Sequence, residues 1–285
     1  MLPSGQCFHS ILEMLRPRPT LVLTFSAIMG FLVAESSLWS FQLLNFALLT
    51  AISAMGAFTL NHYMERSEDA LMERTTTRPL ALKILTPRQV LTLGLILLIT
   101  PLPLLVYCCS LWSALLILLI GLIYLFGYTL LKPITPYSTI LGAIPGALLP
   151  ISGELAVHPI ISPLTLWMSV VIFIWQIPHT LLIVLLRQNE FQAANGAQLP
   201  ITAGPVPAYR QIVWYCTTLF VLTPLPFIFG YIQNQVIMIT IMLLSLFVLL
   251  LARRVAINQQ DLNYRHLFFY LTAYLPLLLS VTLLT

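Results

Sequence analysis

Charge is what this sequence has least of. Of 285 residues only 8% are charged, against 59% hydrophobic, and the mean hydropathy is +0.95. A soluble domain carries about 25% charged residues, so a soluble globular fold is excluded. Apolar runs of about 20 residues, the length that crosses a bilayer core, recur from end to end and imply a polytopic α-helical membrane protein. The alternation over segments of about ten residues that marks a membrane β-barrel is missing. Cysteine is scarce too. Cys7, Cys108, Cys109 and Cys216 form no CxxC pair and no ligand cluster, and read as small apolar fillers. The first fifteen residues hold no Lys or Arg, which supports neither a secretory n-region nor an Arg-rich transit peptide. The first span is expected to act as an uncleaved signal anchor. No soluble domain or low-complexity tail is evident, so residues 1–285 read as one integral-membrane domain, with the lipid bilayer as partner and no nucleic acid.

The apolar runs number nine, at about 21–37, 41–60, 90–108, 111–131, 138–156, 164–186, 212–231, 236–252 and 266–284. The fold class is therefore all-α, a membrane bundle of about nine helices. The fifth span is rich in Gly and Pro (Gly142, Pro145, Gly146, Pro150, Gly153) and is expected to kink against its neighbours. With nine spans all 13 Lys and Arg residues fall on one side, while the opposite loops (107–110, 152–162, 232–235) have none. The bias of basic residues toward the cytoplasm puts the N-terminus inside and the C-terminus outside.

Where charge does occur, it is concentrated. Glu65, Arg66, Glu68, Asp69, Glu73, Arg74 and Arg78 fall within residues 61–80, NHYMERSEDALMERTTTRPL. Asn61, Glu65 and Asp69 are spaced i, i+4, i+8, which stacks them on one face of a helix. Thr75-Thr76-Thr77 followed by Arg78-Pro79 is expected to end that helix. A second acidic helix end follows span six, at Arg187 through Glu190, and spans two and six run in the same direction, a hint of parallel internal duplication. Two further polar clusters sit within spans: Tyr128 through Lys132 ends span four, and Trp175, Gln176 and His179 lie in span six.

Two acidic ends with Arg74, Arg78, Lys132 and Arg187 supply what a diphosphate ester needs to lose its leaving group. Mg²⁺ holds phosphate oxygens through one or two carboxylates and several waters, and Lys or Arg neutralises the departing charge. The membrane excludes the water that would quench an allylic cation. The competing reading is a solvated interfacial helix with i,i+4 ion pairs, which explains one such loop but not a second in a parallel position. A single His beside Pro, as at His179, is as often a packing residue as a ligand. Glu154 and His158, on the opposite side, read as loop polarity.

Residues 61–80 resemble the first aspartate-rich motif of the protohaem IX farnesyltransferase (haem O synthase) family of UbiA-type intramembrane prenyltransferases, N-x-x-x-D-x-D-x-D-x-x-M-x-R-T-x-x-R-P. WQIPH with EFQAANGAQLP resembles that family's W-Q-x-P-H and D-Y-x-A-A-x-x-P-x-L-P. YTLLK with GAIPGALLPISG resembles Y-T-x-x-K-R and G-x-x-x-G-A-x-P-P-x-x-G. The resemblance implies a nine-helix bundle around a lateral cavity. It implies that Asn61, Glu65, Asp69 and Glu190 hold Mg²⁺ and diphosphate, with Lys132 also catalytic. Arg74, Arg78, Tyr128 and Arg187 would bind the diphosphate substrate, and Trp175, Gln176 and His179 would lie near the acceptor. The implied substrates are farnesyl diphosphate and haem B, joined at the haem vinyl group. The implied setting is a bacterial cytoplasmic (inner) membrane, with haem A synthase or terminal oxidase assembly factors as protein partners.

The chain departs from the family at five points. Glu65 and Glu190 stand where Asp is usual, Ser67 replaces another Asp, Pro133 replaces the Arg after Lys132, and Leu149-Pro150 replaces Pro-Pro. Position 67 points away from the Asn61–Glu65–Asp69 stripe on an ideal helix. Two alternatives stay open: a prenyltransferase of the same superfamily with another acceptor (an aromatic acid or quinone precursor), and a non-catalytic membrane assembly or transport protein.

Overall fold

Each of the nine apolar runs is helical in the computed structural model, which describes residues 4–35, 37–38, 40–69, 78–194, 196–258 and 261–283. A short α1 (Ser4–Leu15) precedes α2 (Pro17–Ala34), α3 (Phe41–Met64) and a single turn, α4 (Arg66–Asp69). The third span is two helices, α5 (Pro87–Ile99) and α6 (Pro101–Cys108). The fourth is α7 (Leu111–Leu122), continued by a π-helical segment, Ile123–Thr129. Then follow α8 (Ser138–Val157), α9 (Pro163–Leu186), α10 (Gln188–Ala193), α11 (Leu199–Thr202), α12 (Pro205–Leu222), α13 (Leu225–Ile228), α14 (Gln235–Asn258) and α15 (Asp261–Val281).

The helix starts are written in the sequence. Ser40, Thr86, Ser110 and Ser162 each accept a backbone N–H three residues on, capping α3, α5, α7 and α9. Proline stands in the first turn of α2, α5, α6, α9 and α12, where its missing N–H is no loss.

Among the described residues eight spans are long and apolar enough to cross a membrane, and this is a multi-pass membrane protein. The ninth expected span is α15. It is a full helix in the bundle, but it opens with Asp261, Asn263, Arg265 and His266, which dilute its apolar content. Burial separates inner from outer helices: 56% of the apolar stretch is buried in α3, α8 and α9, against 28% in the third and fourth spans, α12–α13 and α14. The outer faces carry Leu44, Leu104, Leu243 and Phe269, all exposed, as a lipid-facing surface requires.

Helix α8 is the axis. It packs on α2, α7 and α9, and α9 packs in turn on α12 and α15. At the α2–α8 crossing the backbones touch: a methyl at Gly30 would strike the Pro150 carbonyl, and one at Gly153 would strike that of Ala27. Small residues here do what they do in membrane bundles, letting two backbones approach. Pro145 and Pro150 lie inside α8, which stays helical from end to end. Glu154 proves not to be loop polarity. It is buried in the last turn of α8, and its Oε2 accepts the Ser162 N–H at 2.9 Å, joining the α8 end to the α9 start.

Candidate functional site

The charged stretch leaves α3 without losing register. Helix α3 ends at Met64 and Glu65 is its C-cap, yet Glu65 N donates to Asn61 O at 2.9 Å and Asp69 N to Glu65 O at 2.8 Å. The i, i+4, i+8 stripe therefore survives the break, and all three side chains are buried. Ser67 is exposed and donates to Glu68 Oε2 at 2.9 Å, off the stripe as its spacing predicts. Residues 70–77 lie outside the described residues, so the expectations for Arg74 and for Thr75-Thr76-Thr77 are neither met nor corrected.

Each acidic group on the stripe faces a base. Lys132 Nζ donates to Glu65 Oε1 at 2.9 Å. Burial would raise the Glu65 pKa, but the Lys132 ammonium, with Arg16 behind it, holds the carboxyl below its ordinary value. Burial would likewise lower that of Lys132, and Glu65 keeps it above the usual lysine value. Arg78 is buried and paired with Asp69. Burial and the nearby Glu65 carboxylate nevertheless push the Asp69 carboxyl up, against the pull of Arg78.

Asn61 is 1% exposed. Its Nδ2 donates to Thr129 Oγ1 at 3.0 Å, while its Oδ1 accepts no hydrogen bond among the described residues. A buried carbonyl oxygen left bare costs free energy unless something supplies the missing partner.

Beside this stripe lies a cavity of about 100 Å³ lined by residues from three parts of the chain. Glu65 and Glu68 come from the α3–α4 corner, Thr129, Lys132 and Pro133 from the end of the fourth span, and Phe191, Ala194 and Gln198 from α10 and the loop after it. Lys132 Nζ stands 5.9 Å from the Phe191 ring centroid. The loop also grips the base itself: Ala197 N and Gln198 Nε2 both donate to the Lys132 carbonyl, at 3.4 and 3.3 Å. The second acidic end thus closes on the first. Glu190 lies in the first turn of α10, one residue from the cavity wall, and Arg187 is exposed at the α9 C-cap, outside the residues that line this cavity.

Deeper in the bundle a second group assembles around α9. The His179 ring is stacked between Trp175 (4.5 Å between centroids) and Phe268 (4.9 Å), with its Nδ1 3.4 Å from Thr272 Oγ1. Trp175 is buried, and its Nε1 donates to the Leu271 carbonyl at 2.6 Å. The two groups are linked along α8. Tyr128, stacked on Tyr124 at 5.8 Å, packs at Gly142, and Gln176 reaches Gly146 one turn further on.

Three contributors were not legible in the sequence. Arg16, left-handed at φ 48, stands over the Phe58 ring and donates to His62 Nε2 at 3.2 Å, so the base before span one reaches the α3 end. Thr129 and Gln198 are the others. Their signal was polarity at the end of an apolar run, with no partner nearby in sequence to give it meaning.

The donor set suits a hard cation. Asn61 Oδ1 and the carboxylates of Glu65 and Asp69 are all oxygen, and Mg²⁺ needs only one or two carboxylates beside waters and phosphate. Among the described residues no group of three or more His, Cys, Asp or Glu side chains is gathered to hold a metal.

Comparison with known proteins fits this arrangement. The model of the UbiA prenyltransferase family matches residues 23–273. A protoheme IX farnesyltransferase of Sorangium cellulosum is 39% identical over 170 residues, 60% of this chain and 61% of that protein. One from Ehrlichia canis is 29% identical over 279 residues, 96% of this chain and 94% of the relative. Among solved structures, a UbiA homolog from Archaeoglobus fulgidus bound to DMAPP and Mg²⁺ superposes with a TM-score of 0.71 at 17% identity, covering 95% of this chain and 99% of that one.

Proposed function

The chain belongs to the UbiA prenyltransferase family, and on that premise we propose that it transfers a farnesyl group from farnesyl diphosphate to a vinyl group of haem B, forming haem O. The observation that carries this reading is the Glu65–Lys132 pair in a cavity also walled by α10. It supports one diphosphate site built from both acidic helix ends.

Asn61, Glu65 and Asp69, with Glu190 from α10, would hold Mg²⁺, which when bound neutralises diphosphate oxygens. Lys132 and Arg78 would bring fixed positive charge to the same oxygens. As the allylic C–O bond breaks, its electron pair leaves with the diphosphate, and these two bases stabilise the growing charge; Arg74 is proposed to join them. The substrate would displace the present Glu65–Lys132 and Arg78–Asp69 pairings, since both bases must turn to phosphate. Apolar walls of the bundle exclude water from the farnesyl cation. Its carbon bonds to the vinyl terminus, the positive charge moves to the adjacent carbon, and water captures it with loss of a proton.

Tyr128 would line the diphosphate side of this path, and Arg187 would act from the rim. The Trp175–His179–Phe268 stack, with Gln176, is proposed to receive the porphyrin, one or two turns along α8 and α9 from the diphosphate. Charge segregation supports an N-terminus and a diphosphate site facing the cytoplasm, and the bacterial relatives support an inner-membrane setting. Haem A synthase or terminal oxidase assembly factors are the proposed partners. The test offers the purified protein radiolabelled farnesyl diphosphate with haem B and an aromatic acid together. Label in the haem fraction supports the reading; label only in the aromatic acid overturns it.

A further inference from the structure

The Thr129 hydroxyl is committed in a way that decides what Asn61 can do. Residues Ile123–Thr129 form a π-helix, whose wider turn sets each residue opposite the carbonyl five positions back. Thr129 Oγ1 donates to that carbonyl, Tyr124 O, at 3.0 Å. A threonine hydroxyl has one proton. With that proton spent, it offers Asn61 only a lone pair, and a lone pair accepts only from the amide Nδ2, which lies 3.0 Å away. The Asn61 amide is thereby fixed with its Oδ1 on the opposite side, buried and without a hydrogen-bond donor among the described residues. The Glu65 carboxylate, one helical turn away, draws the amide N–H groups as well, and the Thr129 lone pair fixes which way the amide faces.

We infer that Thr129 is a positioning residue: its hydroxyl, oriented by the π turn, locks the Asn61 amide so that oxygen rather than nitrogen faces a divalent cation. The inference rests on the reading of Asn61, Glu65 and Asp69 as the metal–diphosphate site. It explains why a π segment, an uncommon form that usually marks function, occurs where the fourth span meets the stripe. In a straight α-helix the carbonyl opposite Thr129 would be that of Leu125 rather than Tyr124.

The probe is Mn²⁺ with inorganic diphosphate, titrated into the full-length protein in detergent and followed by electron paramagnetic resonance, with no turnover required. Thr129→Val should weaken Mn²⁺ binding by about 10- to 100-fold, the usual cost of removing a group that orients a ligand, and Thr129→Ser should recover most of it. In an Asn61→Asp background both terminal atoms are oxygen, orientation ceases to matter, and Thr129→Val should have little further effect. Equal weakening in both backgrounds, or none in either, overturns the proposal. Thr129→Ala gives the same comparison should the valine variant not fold. If Asn61→Ala leaves Mn²⁺ binding unchanged, the metal-site reading itself has failed, a result distinct from failure of Thr129 alone.

Discussion

Lys132 Nζ lies 2.9 Å from Glu65 Oε1, an ion pair that joins the end of α3 to the end of the fourth span. Each partner satisfies the other in a half-buried place, and the lysine is positioned to meet phosphate. Replacing it should act on the reaction, and, by leaving Glu65 unpaired, on stability as well. Lys132→Ala is expected to lower kcat by about 10²- to 10³-fold, the cost of removing one preorganised donor, with Lys132→Arg intermediate. Single-turnover rates with saturating farnesyl diphosphate check this; a change confined to KM would assign Lys132 to ground-state binding only.

The same pair sets a pH window. The Glu65 pKa is depressed below its ordinary 4.5, so its contribution to stability is present above that value and lost as pH falls through the folded one. The Lys132 pKa is raised above 10.5, so its contribution is present below that value and lost as pH rises through the folded one. Between the two the pair stays ionised. Thermal unfolding in detergent should show a plateau across neutral pH, and Glu65→Gln should flatten the acid limb. An acid limb unchanged in Glu65→Gln would remove the pair from the explanation.

Asp69→Asn and Arg78→Ala should each cut turnover by at least about 10²-fold while the protein still inserts and folds. Steady-state rates with size-exclusion profiles of each variant decide it. Full activity in either would remove that residue from the site.

Much of this site was legible because it is local. Asn61, Glu65 and Asp69 could be placed on one stripe from spacing alone, and the backbone keeps that register through the α3–α4 break. Lys132 could be named from its motif. Its partner could not, since the two meet only after the fourth span folds back against α3. Thr129 was hidden for another reason: periodicity assumes 3.6 residues per turn, and the π segment changes which carbonyl a side chain meets. The expectation that Glu154 is loop polarity failed because a carboxylate can be buried at a helix end when a backbone N–H beyond the turn comes to it.

Packing at the α2–α8 crossing gives a stability prediction independent of chemistry. Gly30→Ala would drive a methyl into the Pro150 carbonyl and should destabilise by about 1–3 kcal/mol or more. Gly127→Ala meets only Ile123 Cγ2, at 3.6 Å, and should leave Tm near that of the parent. Unfolding temperatures of the two in the same detergent make the comparison.

His179→Phe preserves the stack between Trp175 and Phe268 but deletes both ring nitrogens. It should lower kcat/KM for haem about tenfold or more, a loss near 1.4 kcal/mol, while leaving Mn²⁺–diphosphate binding intact. Equal loss of both would mean the ring supports the fold rather than the acceptor.

The most direct test of the whole account is the mass of the haem recovered after incubating purified protein with haem B, farnesyl diphosphate and Mg²⁺. The account predicts haem B enlarged by one farnesyl group and one hydroxyl group, formed by the parent and lost in Lys132→Ala. Unmodified haem B from the parent, beside an active control enzyme, would contradict it.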